Sequence, residues 1–305
     1  MCRLRWILLG LLLCFGRAGD VCGAYLNTPE AVFAYALELE KNGDHKRAAT
    51  EFGRYVSGGR LQGAESFPRL EEGMFRLAVN LAMANEVDGA LRAFSVLGES
   101  FPKSEYIPVA LLRMGLLYER AGATGEAILR YQRLADMKMD SQLGALSRLR
   151  LAWIAMGKPG EEEIARGHLR AVTNPRLAEP VRQVLRDLEQ LPNLPYKDPW
   201  IAGVLTAVLP GAGHLYLDRP EDAGVAFLSN GLLIAGTIQS FSKGISGLGT
   251  ALGLLELGWY SGTIFSSVSL THKYNKHLRE EQLNRMGALL QPEAGALGLE
   301  MEWHY

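Results

Sequence analysis

The sequence predicts an all-α protein in which an α-solenoid of stacked helical hairpins is followed by a small bundle of apolar, membrane-type helices. Three observations carry this. Residues 29–190 keep a helical period with few β-branched runs. Small and large residues recur within them at matching places. Beyond Trp200 the charges nearly vanish. The 305 residues are 48% hydrophobic, enough for two domains, and 32 basic side chains face 33 acidic ones, so no net field invites a nucleic acid.

At the N-terminus Arg3 and Arg5 precede the apolar run WILLGLLLCF and then Cys22-Gly23-Ala24. A run of about ten residues is too short for roughly 30 Å of hydrocarbon, so residues 1–24 read as an export signal cut after Ala24. An uncleaved anchor is the other reading. Cys14 and Cys22 follow Leu13 and Val21, bulky where a lipoprotein pattern wants a small residue. All three cysteines precede the cut, so the mature chain is expected to hold no disulfide and no cysteine metal site.

Residues 25–191 form the expected repeat domain. EGMFRLAVNLAMANEVDGALRAFSVLGESFP places Leu77, Ala78 and Leu81 on a first helix and Ala90, Phe94 and Leu97 on a second, with Pro102 as a stop. VALLRMGLLYERAGATGEAILRYQRLADM repeats this with Met114, Gly115, Tyr118, Gly122, Ala127, Tyr131 and Leu134. An earlier unit carries Tyr35, Ala36, Leu39, Gly43, Ala48 and Phe52. A later, degenerate one has Leu151 and Ala152, with Pro159 in its turn and Ile164 where Ala is expected. A small residue at the crossing lets two antiparallel helices approach, and the large residue fills the gap to the next hairpin. SGGRLQGAESFPR reads as a long connection, and AEPVRQVLRDLEQL as a cap on the array.

These segments resemble tetratricopeptide repeats, helix-turn-helix units of about 34 residues. The resemblance implies a solenoid that binds a protein partner along its first helices. At positions one turn apart those helices carry Phe33 and Leu37, Phe75 and Val79, Leu112 and Leu116, Leu149 and Trp153, read as an apolar groove for a peptide or, alternatively, as internal packing. The basic and Asn residues with which some members clamp a terminal carboxylate are missing at these positions.

Residues 192–199 are a proline-stiffened linker, and 200–270 a membrane domain with apolar stretches at 200–217, 222–241 and 247–270. Pro210-Gly211-Ala212-Gly213 interrupts the first: proline removes a donor and glycine permits a bend. His214, Tyr216 and Asp218 follow as a polar strip expected at the interface. Pro-Gly-x-Gly-x-x-Tyr ahead of a charged turn resembles small two-transmembrane-domain proteins, a likeness that brings no activity. Gly249 and Gly253, then Gly258 and Gly262, are spaced for close helix packing. Glu256 is a carboxylate deep in apolar sequence, expected to be protonated and bonded to Ser229, Asn230 or His214, or else to serve as a proton or ion site. Residues 271–305 are a basic, then mixed, tail. Its charge favours the cytoplasm after three crossings, with the repeats exported and the chain held at the inner membrane; two crossings plus a re-entrant first segment, which would leave the tail outside, is the other reading.

No phosphate-loop, H-E-x-x-H, G-x-S-x-G or cysteine-pair pattern occurs, so no enzyme activity, metal or cofactor is expected. The leading expectation is a membrane-anchored envelope scaffold that grips a protein partner. A subunit of a transport or protein-insertion assembly, with Glu256 functional, is the alternative.

Overall fold

The computed structural model describes residues 28–137 and 142–295. Residues 1–24, expected to be an export signal, and the last ten positions of the tail lie outside the described residues. Pro29–Lys41 (α1) begins at Thr28, whose side chain accepts the Ala31 N–H, with Pro29 in the first turn, where its missing donor costs nothing. His45–Gln62 (α2), Leu70–Met83 (α3), Val87–Ser100 (α4), Ile107–Arg120 (α5), Thr124–Asp136 (α6) and Gln142–Met156 (α7) follow. No strand occurs among the described residues. The fold is an all-α tetratricopeptide-like solenoid.

The hairpins share one turn. At Asn42–Asp44, Ala84–Glu86 and Ala121–Ala123 the first three amides after the helix bond back in the same pattern, the third reaching the carbonyl of Leu39, Leu81 or Tyr118. The middle residue is left-handed, with φ +76° at Gly43, 62° at Asn85 and +72° at Gly122. Glycine and asparagine are the residues that tolerate this, which is why the turns read as Gly or Asn in sequence.

Packing follows the small–large alternation. Ala36, Ala78, Ala90, Ala127 and Ala152 are fully buried. A Cβ on Gly115 would lie 2.3 Å from the Tyr131 ring, so α5 and α6 touch there only because position 115 is glycine. Two expectations change. SGGRLQ is the last part of α2 rather than connection, and a Cβ on Gly58 or Gly59 would fall within 2.7 Å of Phe67 or Leu70, which fold back onto it. In the degenerate unit the small buried position is Ala165, and Ile164 points outward.

Backbone contacts divide the chain into two compact units, one up to Ile154 with Ala171–Asn174, the other Ala155–Arg170 with Pro175 onward. The division falls inside α7, well ahead of the composition shift at Trp200. The second unit contains Glu162–Arg170 (α8), Ala178–Gln190 (α9), Pro199–Val208 (α10), Ala212–Tyr216 (α11), Pro220–Ser242 (α12) and Ser246–Gly295 (α13). At 50 residues, α13 is about 75 Å long. It runs through the expected boundary at 270 without a break, and its second half packs on α9. There α13 buries Leu283, Met286 and Leu290 while α9 buries Val181, Val184 and Leu188. Arg279 donates to Met156 O at 3.0 Å and to Glu162 Oε1 at 2.9 Å. The presumed cap of the array is therefore covered by the tail.

Residues 200–270 of this unit are apolar on their outside. Trp200 (76%), Val208 (79%), Leu232 (73%) and Phe265 (73%) are exposed. Among the described residues one helix, α12, is long and apolar enough to cross a membrane by length and composition. The first apolar stretch is not. Its helix α10 has 10 residues, about 15 Å, half of what a span needs.

Candidate interaction face and apolar hairpin

Of the eight side chains expected to line a groove, four are core. Phe33, Leu112, Leu149 and Trp153 are buried. Phe33 meets Phe52 and Tyr55 edge-on at 5.3 and 4.9 Å, with the Arg69 guanidinium 3.9 Å over its ring. Leu37, Phe75, Val79 and Leu116 are half-buried, and Phe75 stacks on Tyr106 at 4.7 Å. An open apolar groove along all eight is corrected: the first helices spend much of that stripe on their own hairpins, leaving four half-covered positions.

Beside this stripe lies a set of charges that the apolar pattern hid. Arg76, Arg113 and Arg150 stand two residues before Ala78, Gly115 and Ala152, the small crossing residues of three successive units. Arg76 pairs with Glu40 of the preceding first helix at 2.9 Å and with Glu72 at 2.8 Å. Arg69 also donates to Glu72. Burial opposes charge on Glu72, but the bonds from Arg76 and Arg69 outweigh it and hold the carboxyl below its ordinary range. Arg150 pairs with Glu119, again from the preceding first helix. This pair is nearly dry: burial pushes the Glu119 carboxyl up against the pull of Arg150, and burial and the Glu119 charge raise Tyr131. A search for charges at the repeat period, rather than for apolar stripes, would have found these residues.

In the second unit, Pro210-Gly211 reverses the chain. Gly211 is left-handed at φ +91° and a Cβ there would sit 2.4 Å from Ala223 O. Gly213 donates its N–H to Thr206 Oγ1 at 3.2 Å, and Thr206 in turn donates to Ala202 O. A short helical hairpin, α10–α11, results. Its two ends meet each other, and the first of them meets α13. The Lys197 N–H donates to Asn275 Oδ1 at 2.9 Å while Asn275 Nδ2 donates back to Lys197 O at 2.8 Å. Lys197 Nζ also reaches Tyr216 O and Asp218, and the Asp198 N–H donates to the Tyr216 hydroxyl. The far end of α10 is reached by Tyr260, which donates to Ala207 O at 3.1 Å.

The residue before the apolar stretches thus touches the residue after them. The turn expected to bend the first segment is a full reversal. Tyr216 and Asp218 sit with Lys197 as a polar cluster, but His214 is buried, 3.5 Å from Ser266 Oγ, instead of facing an interface.

Gly249 lies under the Phe241 ring and Gly253 in ordinary contact with Thr237, both across the α12–α13 hairpin. Gly258 and Gly262 meet nothing among the described residues and line an open groove of 820 Å³ with His214 and Trp259, so the expected close approach of a helix to them does not occur there. Glu256 is 8% exposed and neither carboxylate oxygen has a hydrogen-bond partner. The expected partners are engaged elsewhere: Ser229 accepts from Trp259, Asn230 donates to Ala226 O and Thr263, and His214 faces Ser266. Among the described residues no group of three or more His, Cys, Asp or Glu could hold a metal ion.

Residues 72–104 and 109–136, the α3–α4 and α5–α6 hairpins, match the tetratricopeptide repeat family. Repeats of this kind generally mediate protein–protein interactions. No curated protein and no solved structure matches the chain.

Proposed function

We propose that this chain is a membrane-anchored interaction protein: its repeats hold a protein partner, and α12 with the first half of α13 crosses the inner membrane as a hairpin, α10–α11 entering and leaving on the same side. The observation that carries this is the placement of bare apolar surface. Trp200, Val208, Leu232 and Phe265 are exposed in a chain whose repeat helices have buried cores, and such surface belongs against lipid. The likeness of the Pro-Gly turn to small two-transmembrane-domain proteins supports the same reading. Array and tail share one side, and the signal-like N-terminus makes that side the exported one.

Alkaline phosphatase fused after Leu191 and after Arg285 should be active at both sites, and fused after Gly244 inactive. Activity at Gly244 alone would reverse the orientation. Activity after Leu191 but not after Arg285 would overturn the hairpin.

A second reading rests on Glu256, whose buried carboxyl lacks a partner, as expected of a proton or ion site. Glu256→Gln keeps shape and removes the titration. Under the anchoring reading it should leave insertion and cellular function within about two-fold of the parent, since a neutral side chain there costs little. Loss of function with normal insertion would favour transport.

A further inference from the structure

The arginines of successive first helices form a ladder with one incomplete rung. The repeats superimpose by adding 37 from Ala78 to Gly115 to Ala152, which also carries Arg76 to Arg113 to Arg150. In the same register Glu40, Ala82 and Glu119 correspond, with 42 residues between the first two. In the outer rungs each arginine pairs with the acid of the preceding first helix, Arg76 with Glu40 and Arg150 with Glu119. For Arg113 that position is Ala82, which supplies no acid.

Arg113 is half-buried. Its Nε is shielded from solvent without a hydrogen-bond partner, and no ion pair to its guanidinium exists among the described residues. Glu40 exerts a field on it, but that carboxylate is bonded to Arg76, and burial works against the Arg113 charge. A guanidinium cannot shed its proton to escape such a site, so a half-desolvated, unpaired arginine is a standing cost that a carboxylate from outside relieves. The groove positions Leu112 and Leu116 carry no charge, and the charge sits one residue beyond Leu112. Half-buried Leu116 and Val79 occupy the same two helices and offer apolar contact nearby.

We infer that Arg113 is the charge-reading residue of the array, and that the protein partner completes the rung with an acidic side chain, taking the place Glu40 and Glu119 hold in the neighbouring units. This rests on the interaction reading above. A carboxylate is favoured because both complete rungs hold one. A chain terminus offers the same chemistry and is separated by the test.

The probe is a random dodecapeptide library displayed with free C-termini, selected on the full chain in nanodiscs. Selected peptides should share an Asp or Glu, and its change to Asn or Gln should weaken binding at least about ten-fold, whereas amidating the C-terminus should not. Arg113→Gln should produce the same loss. Ala82→Glu, which supplies the missing acid from within, should also abolish selection of acidic peptides while raising thermal stability. Loss on amidation instead would assign the site to a terminus and overturn the side-chain assignment. Peptides bound equally by the parent, Arg113→Gln and Ala82→Glu would overturn the role of Arg113 and leave the interaction reading standing. A parent that selects no peptide would sink both.

Discussion

Gly213→Ala should unfold the α10–α11 hairpin, although it adds a single methyl group. The added Cβ would fall 2.2 Å from Thr206 Oγ1, 2.3 Å from Ala202 O and 3.0 Å from Ser267 Cβ. The carbonyl belongs to the α10 backbone, so relief requires moving α11 away from that helix. It also breaks the bond from the Gly213 N–H to Thr206. Overpacking of this kind costs about 3 kcal/mol, a large share of the stability of a hairpin this short. The readout is chymotrypsin cleavage after Tyr216 and Leu217 in nanodiscs, slow in the parent and fast in the variant. Gly258→Ala and Gly262→Ala are the controls. Nothing lies within 4 Å of a Cβ at either position, and alanine is the better helix former by up to about 1 kcal/mol, so both should cleave at the parental rate. Equal cleavage of Gly213→Ala and Gly258→Ala would show that the reversal does not depend on the close approach at Gly213.

Arg150→Met should destabilise the repeats by about 3–5 kcal/mol, because it leaves the Glu119 carboxylate buried without its counter-charge. The Arg150 and Glu119 side chains are 6% and 15% exposed, so solvent offers little compensation, and the buried Tyr131 hydroxyl cannot replace a cation. At about 2–4 °C per kcal/mol for a domain of this size, the melting temperature should fall by roughly 10 °C, with amides of α5 and α7 losing protection against hydrogen exchange first. Glu119→Leu added to Arg150→Met should restore most of the loss, since an apolar pair carries no desolvated charge. A cost under about 1 kcal/mol for Arg150→Met alone would mean that the pair is well hydrated and tethers nothing. The outer rung at Arg76 should be less sensitive, since its side chain is 32% exposed and shares two acids.

The repeat hairpins were legible because their determinants are local. A left-handed residue closes each turn and a small residue marks each crossing, and both appear in the chain at the spot where they act. The groove was legible only in part. Residues one turn apart on a first helix look alike in sequence, yet Leu112 is fully buried while Leu116 stays half-covered, a difference that the pattern of one helix does not contain. The arginine rungs escaped because each pairs across a full repeat, Arg150 with Glu119 and Arg76 with Glu40, and single-helix patterns contain no such distance.

By itself the sequence determined an all-α chain, a tetratricopeptide-like array, its turn positions and an apolar segment broken at Pro210-Gly211, since propensity, periodicity and backbone strain are properties of neighbouring residues. Tertiary structure decided what those pieces do to one another. It turned the break into a reversal, because Gly211 lets the turn lie against Ala223 and Gly213 lets α11 lie against Ala202 of α10. It brought Lys197 to Asn275, so the chain enters and leaves the apolar helices at neighbouring points. It also made a basic tail the cover of α9, because Leu283, Met286 and Leu290 are spaced along one face of a helix and must be buried against something, and the sequence carries no mark of which surface that will be.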